Sequence, residues 1–434
     1  MRTSVTMLSL TLGLALPLSA TSAQQRTGTT PAGDTVYLTR RQAILLALRA
    51  NPQVDIAREI AQQARAQRVQ ATAINDPVFS ASADSVTSIR RIGSAPARPI
   101  ALSGGIPFPD KLRLRGKIGT AGVDVANASL SQLQQQLAAN AGRLYDSVLV
   151  VHLQRRTLLD SRELATEFLT RTQARFNGGT VAKLDVIKAQ VDLAQSENDL
   201  IANRRDVANA DAALNRAIGR TMGTALVATD SLAVPPPLPL IDAVELSAFT
   251  SRPELRAIEA QQRGARATSS LVRESAFLPD LTLGAGRDLA VPSGITYAIG
   301  FAMPIPLLFW QHTRGDFAET RHRELELVAT LRDARAAIAQ DVRTTYATAE
   351  AALRQVVFLR DQLLPSAREA YRISTASYGL GGLSALEVLD ARRQLLLAQR
   401  QYADALAAAN STRSDLERAA GASLTTFPAG ANRE

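Results

Sequence analysis

Cysteine is absent from all 434 residues, which excludes both a disulfide framework and a thiolate metal site. A lipid-anchored N-terminus is excluded with it, because that anchor needs a cysteine just after a signal peptide. Aromatic residues make up only 4% of the chain and histidines number three. His312 and His322 stand ten residues apart, not in the two-His arrangement on one helical face that zinc prefers, and His152 sits alone in a long helical stretch. Beyond the N-terminus no apolar run approaches the ~18 residues of a membrane-spanning helix. A chain of this kind enters a membrane only as strands of a closed barrel. Gly284-Ala285-Gly286 is too short for a nucleotide fingerprint, which needs a strand, the full glycine set and a helix start. With no nucleophile elbow and no metal cluster either, no enzyme activity, cofactor or metal centre is expected.

The formal net charge is +9. The arginines alternate with Glu and Asp along helical stretches and do not gather into one basic stripe with interleaved aromatics, so a nucleic-acid partner is not expected.

What the chain does have is a repeat. Residues 176–190 read FNGGTVAKLDVIKAQ and residues 378–392 read YGLGGLSALEVLDAR. Asn51-Pro52-Gln53-Val54 recurs as Arg252-Pro253-Glu254-Leu255, Asp76-Pro77-Val78-Phe79 as Leu278-Pro279-Asp280-Leu281, and Leu144-Tyr145 as Thr345-Tyr346. The spacing stays near 200 residues, so whole halves were duplicated, and a duplication fixes architecture before residue-level chemistry is considered.

The organisation follows. Arg2, the apolar run Val5 to Leu18 and the small residues Thr21-Ser22-Ala23 have the form of a secretory signal peptide over residues 1–23. An N-terminal extension covers 24–40, a first repeat 41–223, a connector 224–241, a second repeat 242–421 and a tail 422–434. The connector holds Val234-Pro235-Pro236-Pro237-Leu238-Pro239, which suits neither helix nor central strand.

Each repeat reads as a helix, two strands, then a helical hairpin. In the first, a helix over 41–75 precedes strands over Val78 to Val86 and Ile100 to Phe108. A helix from Leu112 to Phe176 follows, on the order of 100 Å long, with an apolar seam through Leu130, Leu133, Leu137, Leu144, Val148, Val151 and Leu158. The returning helix carries Val186, Leu193, Leu200, Val207 and Leu214 at intervals of seven, a coiled-coil spacing. In the second, helices over 242–276, 313–378 and 383–420 bracket strands near 279–289 and 294–304. The last strand puts Ile295, Tyr297, Ile299 and Phe301 on one face and Thr296, Ala298, Gly300 and Ala302 on the other. Large apolar residues outward and small ones inward suit a lipid-facing barrel strand, although a strand on a buried sheet would read the same way. Four strands cannot close a membrane barrel, for which about eight is the minimum, so several chains must pool theirs.

The two tips, the paired strands and Ile305-Pro306-Leu307-Leu308-Phe309 through Arg314-Gly315 resemble the TolC family of outer-membrane efflux channels, over essentially the whole mature chain. The resemblance implies a homotrimer with a twelve-stranded barrel in outer-membrane lipid, continued by a helical barrel in the periplasm. It also implies a periplasmic adaptor and an inner-membrane pump as partners. Met303 to Trp310 is similar to the branch linked to cobalt, zinc and cadmium efflux; type I secretion and multidrug export are the alternatives within the family. A secreted coiled-coil adhesin is the alternative of another class, but adhesin stalks do not interrupt each repeat with two symmetric strands.

In the family the periplasmic end narrows where the second tip presents an aromatic and then two acids. Those positions are Tyr378, Glu387 and Asp390 here; the first repeat keeps one acid, Asp185, with Lys188 at the second position. The position of the basic residue that often follows the tip glycines is held by Leu383, so the usual latch lacks its cation unless an arginine elsewhere substitutes. Ser384-Ala385-Leu386-Glu387 is also a capping-box pattern, so gating and helix capping both stand for Glu387. The tips themselves, Phe176, Gly178, Gly179, Thr180, Gly381, Gly382 and Leu383, are the expected adaptor contacts.

Overall fold

A computed structural model describes residues 36–82, 99–288, 296–305 and 309–424. The signal peptide, the first strand beyond Ser82, Pro306-Leu307-Leu308, the side chains of Phe309, Trp310 and His312, and the tail from residue 425 lie outside the described residues.

The first half contains β1 (Val36–Leu38), α1 (Arg40–Ala50), α2 (Pro52–Ala71), β2 (Val78–Ala81), β3 (Pro99–Ile106), α3 (Pro109–Asn177) and α4 (Lys183–Ala217). The second half repeats it as β4 (Leu226–Ala228), α5 (Ile241–Ser251), α6 (Pro253–Phe277), β5 (Leu281–Asp288), β6 (Thr296–Ala302), α7 (Phe309–Phe358), α8 (Leu364–Gly379) and α9 (Ala385–Ala420).

Proline accounts for three departures from the sequence expectation. The helix expected over 41–75 is two helices, because Pro52 disfavours helical geometry in the residue before it; Asn51 is extended at φ −79° and ψ 121° and caps Gln53 N–H with its side chain at 2.9 Å. Arg252 before Pro253 is likewise extended, at φ −67° and ψ 122°, in the second repeat, though without a side-chain cap. Within the long helix expected over 313–378, a π turn at Leu359–Leu363 joins α7 to α8, and Pro365 follows at once. Its ring would crowd the Asp361 carbonyl four residues back, and the wider turn makes room for it.

Three-residue β1 and β4 pair in parallel, Tyr37 opposite Val227, in segments expected as extension and connector. Strands this short carry no readable alternation.

Two tyrosines, Tyr145 buried and Tyr346 half-buried, hold the halves by the same device. Tyr145 O–H donates to the Leu38 carbonyl at 2.8 Å, and Tyr346 O–H to the Pro239 carbonyl at 2.9 Å, so each long helix grips the strap that leads into its own repeat. Tyr145 also accepts from Asp230 N–H at 3.3 Å. Burial pushes its phenol up to about 12, so stability it contributes is present below its ordinary value of 10.0 and lost as pH rises through the folded value. Tyr145→Phe takes the partner from Asp230 N–H, while the Leu38 carbonyl keeps Thr229 N–H at 3.0 Å and Thr229 Oγ1 at 3.1 Å; it is expected to cost about 1 kcal/mol, read as a lower melting midpoint, and an unchanged midpoint would rule out the strap role.

The hairpin packs with close helix approach. On α4 the positions Val186, Ala189, Ser196, Asn203, Val207 and Leu214 are buried, with Leu193 and Leu200 half-buried between them: the seven-residue seam alternates with small or polar residues three positions on. On α3 the buried line is Ala141, Tyr145, Val148, Leu158, Ser161, Ala165, Phe168 and Thr172, while Leu130, Leu133, Leu137, Leu144 and Val151 are half-buried beside it.

The four longer strands form one antiparallel sheet in the order β2-β3-β5-β6. Opposed residues share a face, so Phe79, Leu102, Ala285 and Ile299 make one row across the sheet, flanked by Leu283–Phe301 and Arg287–Tyr297. The other face carries Ser80, Ala101, Gly286 and Ala298, then Val78, Ser103, Gly284 and Gly300. Tyr297, Ile299 and Phe301 are 71%, 91% and 79% exposed in the single chain. One face is mainly large and apolar and the other, Val78 apart, is made of small residues, with β2 and β6 as open edges.

Candidate functional site: the paired hairpin tips

Both tips fold from the same six-residue instruction. After Phe176, Gly178 N–H donates to Ala174 O, Gly179 N–H to Phe176 O and Thr180 N–H to Arg175 O; after Tyr378, Leu380, Gly381 and Gly382 donate to Ala376, Tyr378 and Ser377. Gly179 and Gly381 supply the left-handed residue, at φ +72° and +82°, where an L side chain is strained. The structural repeat therefore aligns Gly179 with Gly381, one glycine of each pair. Phe176, Gly178, Gly179, Thr180, Gly381 and Gly382 are exposed, Leu383 is half-buried, and Leu380, absent from the expected contacts, is 90% exposed.

The two tips lock to each other through Tyr378. Its ring is buried 5.4 Å from that of Phe168, and its hydroxyl donates to Thr172 Oγ1 at 3.3 Å. Arg175 places its guanidinium 4.5 Å over that ring and donates from Nη1 to the Tyr378 carbonyl. A cation on an aromatic face is favourable, and this one comes from the first tip, not from position 383. Sequence reasoning missed Arg175; the signal was an arginine just before the first aromatic, where the second tip has Ser377.

Above the tip, a buried arginine ties the two hairpins together. Arg392 on α9 donates to the Ser161 carbonyl at 2.7 Å, to Ser161 Oγ at 2.9 Å, to Ser196 Oγ at 3.2 Å and to the Asp192 carboxylate. About two turns on, Arg400 pairs with Asp199. Arg392 occupies a coiled-coil core position between Val388 and Leu395, where the first repeat has exposed Gln190.

Glu387 makes a complete capping box: Ser384 N–H donates to Oε2 at 2.7 Å, Ser384 Oγ donates to it at 2.9 Å, and Glu387 N–H returns a bond to Ser384 Oγ at 3.4 Å. The Ser384 backbone N–H, then its hydroxyl, hold this carboxyl below its usual range. Asp390, one turn on, is exposed and lines a cavity of about 630 Å³ between α4 and α9 with Lys188, Asp192, Arg392 and Arg393. Asp185 lies in the first turn of α4, whose N-cap is Ala182 and bears no side-chain cap. No hydrogen bond or ion pair joins Asp185, Glu387 and Asp390 within one chain among the described residues, and those residues hold no group of three metal-ligating side chains.

A family model described as "Outer membrane efflux protein" matches residues 43–220 and 247–422. The chain is 23% identical over 423 residues to the cobalt-zinc-cadmium resistance protein CzcC of Cupriavidus metallidurans, covering 95% of this chain and 99% of that one. Its fold is similar to that of CusC, at a TM-score of 0.73 and 18% identity over 88% of this chain and 92% of that one. It is likewise similar to the CmeC outer membrane channel of Campylobacter jejuni, at 0.72 and 16% over 88% and 85%.

Proposed function

The chain belongs to the outer membrane efflux protein family, and from that premise we propose that it is the passive duct of a tripartite efflux system, a homotrimer seated in the outer membrane with its helices in the periplasm. The observation that carries this reading is the four-stranded sheet with an apolar outer face and two open edges. Unpaired backbone groups in hydrocarbon cost several kcal/mol each, so β2 and β6 must find partners. Three copies pair β6 of one chain with β2 of the next and close twelve strands. Among the described residues no helix is long and apolar enough to cross a membrane, so the sheet is the element offered to lipid.

A periplasmic adaptor meets the tips, and an inner-membrane pump supplies the energy. Exposed Leu380 beside the glycine turn gives an adaptor helix an apolar purchase. Gly381→Trp places a bulky side chain at φ +82° beside Arg175 and is expected to abolish export while the trimer still assembles; normal export in that variant would remove the tips from the adaptor contact.

Likeness to CzcC and the exposed carboxylates of Glu387 and Asp390 together favour metal cations as cargo. Tolerance of a deletion strain tests this: the intact gene is expected to restore growth in cobalt, zinc or cadmium, and rescue confined to organic toxicants would contradict the metal reading.

A further inference from the structure

The strongest site outside the tips is a basic cavity just below the sheet. It encloses about 660 Å³ between α2, α3 and α6 and is lined by Arg68, Arg113, Lys117, Arg263 and Arg266 over an apolar floor that includes Leu114. Arg263 is paired with Asp124 at 2.8 Å and Arg113 with Asp110 at 2.9 Å. Arg68, Lys117 and Arg266 have no carboxylate partner among the described residues, and all three are exposed.

The side on which it opens follows from chain handedness. Ser82 N–H donates to the Pro99 carbonyl at 3.0 Å, so Ser80 and Ala101 also form a hydrogen-bonded pair. On an ascending strand, an L-residue whose side chain faces the observer sends its own N–H and C=O to the right. Seen from the Ser80 face, β2, β3, β5 and β6 therefore run left to right, and α2, α3 and α6 continue below them in that order. On descending α3, Gly119 abuts Arg68 on the left and Ala121 abuts Gly264 on the right. In a right-handed helix, the stripe Arg113, Lys117, Thr120 and Asp124 then lies on the far side, away from Ser80. The cavity opens on the same side as Phe79, Leu102 and Tyr297.

Depth agrees. Arg113 and Lys117 lie four and eight residues below the start of α3 at Pro109, about 6 and 12 Å at 1.5 Å per residue. The headgroup layer adds about 5–8 Å on each side of the hydrocarbon, and long basic side chains reach back toward it. We infer that this cavity binds the phosphate of an anionic phospholipid in the periplasmic leaflet, with Arg68, Lys117 and Arg266 as its ligands. The inference rests on the barrel reading above, since only a membrane-inserted sheet brings headgroups to this depth.

The test uses the full oligomer in neutral detergent, titrated with phosphatidylglycerol or phosphatidylcholine in mixed micelles and read by native mass spectrometry. Phosphatidylglycerol is expected to bind at least about tenfold more tightly. Each cation removed near an anionic surface weakens binding about fivefold, so Lys117→Gln with Arg266→Gln should weaken it about twenty-five-fold and leave the lipid-free melting midpoint unchanged. Equal binding of the two lipids, or an unaltered double variant, would overturn the site. Displacement of the lipid by inorganic phosphate would overturn a lipid ligand in favour of a free anion. Flotation with vesicles separates the premises: protein that inserts without lipid preference defeats this inference alone, whereas protein that fails to insert defeats the barrel reading as well.

Discussion

Arg392→Ala is expected to lower stability by about 3 kcal/mol, since removing one member of a buried ion pair leaves the other without compensation, and to open the duct in the absence of its partners. Arg392 is the point at which α9 grips both α3 and α4, through the Ser161 carbonyl, Ser161 Oγ, Ser196 Oγ and Asp192. Its loss strands the Asp192 carboxylate, only partly exposed, and the Ser161 side chain at the hairpin seam. Arg392→Lys is not conservative, because an ammonium with three donors cannot serve the four acceptors that the planar fork of the guanidinium reaches. A lower melting midpoint and raised resting conductance in a planar bilayer are the expected readings. Unchanged conductance in a destabilised variant would leave Arg392 a structural tie with no part in closure.

The second large effect concerns charge at the narrow end. Threefold symmetry would bring six carboxylates together from Glu387 and Asp390, and such a ring concentrates negative potential. Glu387→Gln with Asp390→Asn removes the charge yet keeps the capping box, which accepts Gln at the third helical position. This pair is expected to weaken block by trivalent cations and reduce cation preference, with stability nearly unaltered. Glu387→Ala, by contrast, also loses the reciprocal half of the capping box and is expected to lower the melting midpoint. The lowered carboxyl of Glu387 adds a pH signature: its stabilising cap is present above the ordinary 4.5 and is lost as pH falls through the folded value. If block and selectivity survive in the stable amide pair, Glu387 serves only as a cap.

Much of this architecture was legible because the fold writes its periods into the chain. The tip glycines predicted two turns, and the turns repeat bond for bond around Gly179 and Gly381. Alternation over Tyr297 to Ala302 predicted a strand with one lipid-suited face, and the register extends that face through Phe79 and Leu102. Glu387 was readable as a cap because capping is local. What stayed hidden depends on which helices become neighbours. Arg175 meets Tyr378 across 203 residues, and Arg392 meets Asp192 across 200; neither pair has a spacing that sequence alone can recognise. Arg392 did leave a trace, as a lone cation in the coiled-coil seam where the first repeat places Gln190. The breaks at Pro52 and Pro253 were also visible in the quoted repeat, yet the Ala- and Gln-rich composition around them outweighed them.

The central claim is that open edges β2 and β6 find each other between three copies. Light scattering of the purified chain in mild detergent measures this directly. A species of three protomers that resists dissociation is the expected result, and a monodisperse monomer would contradict it.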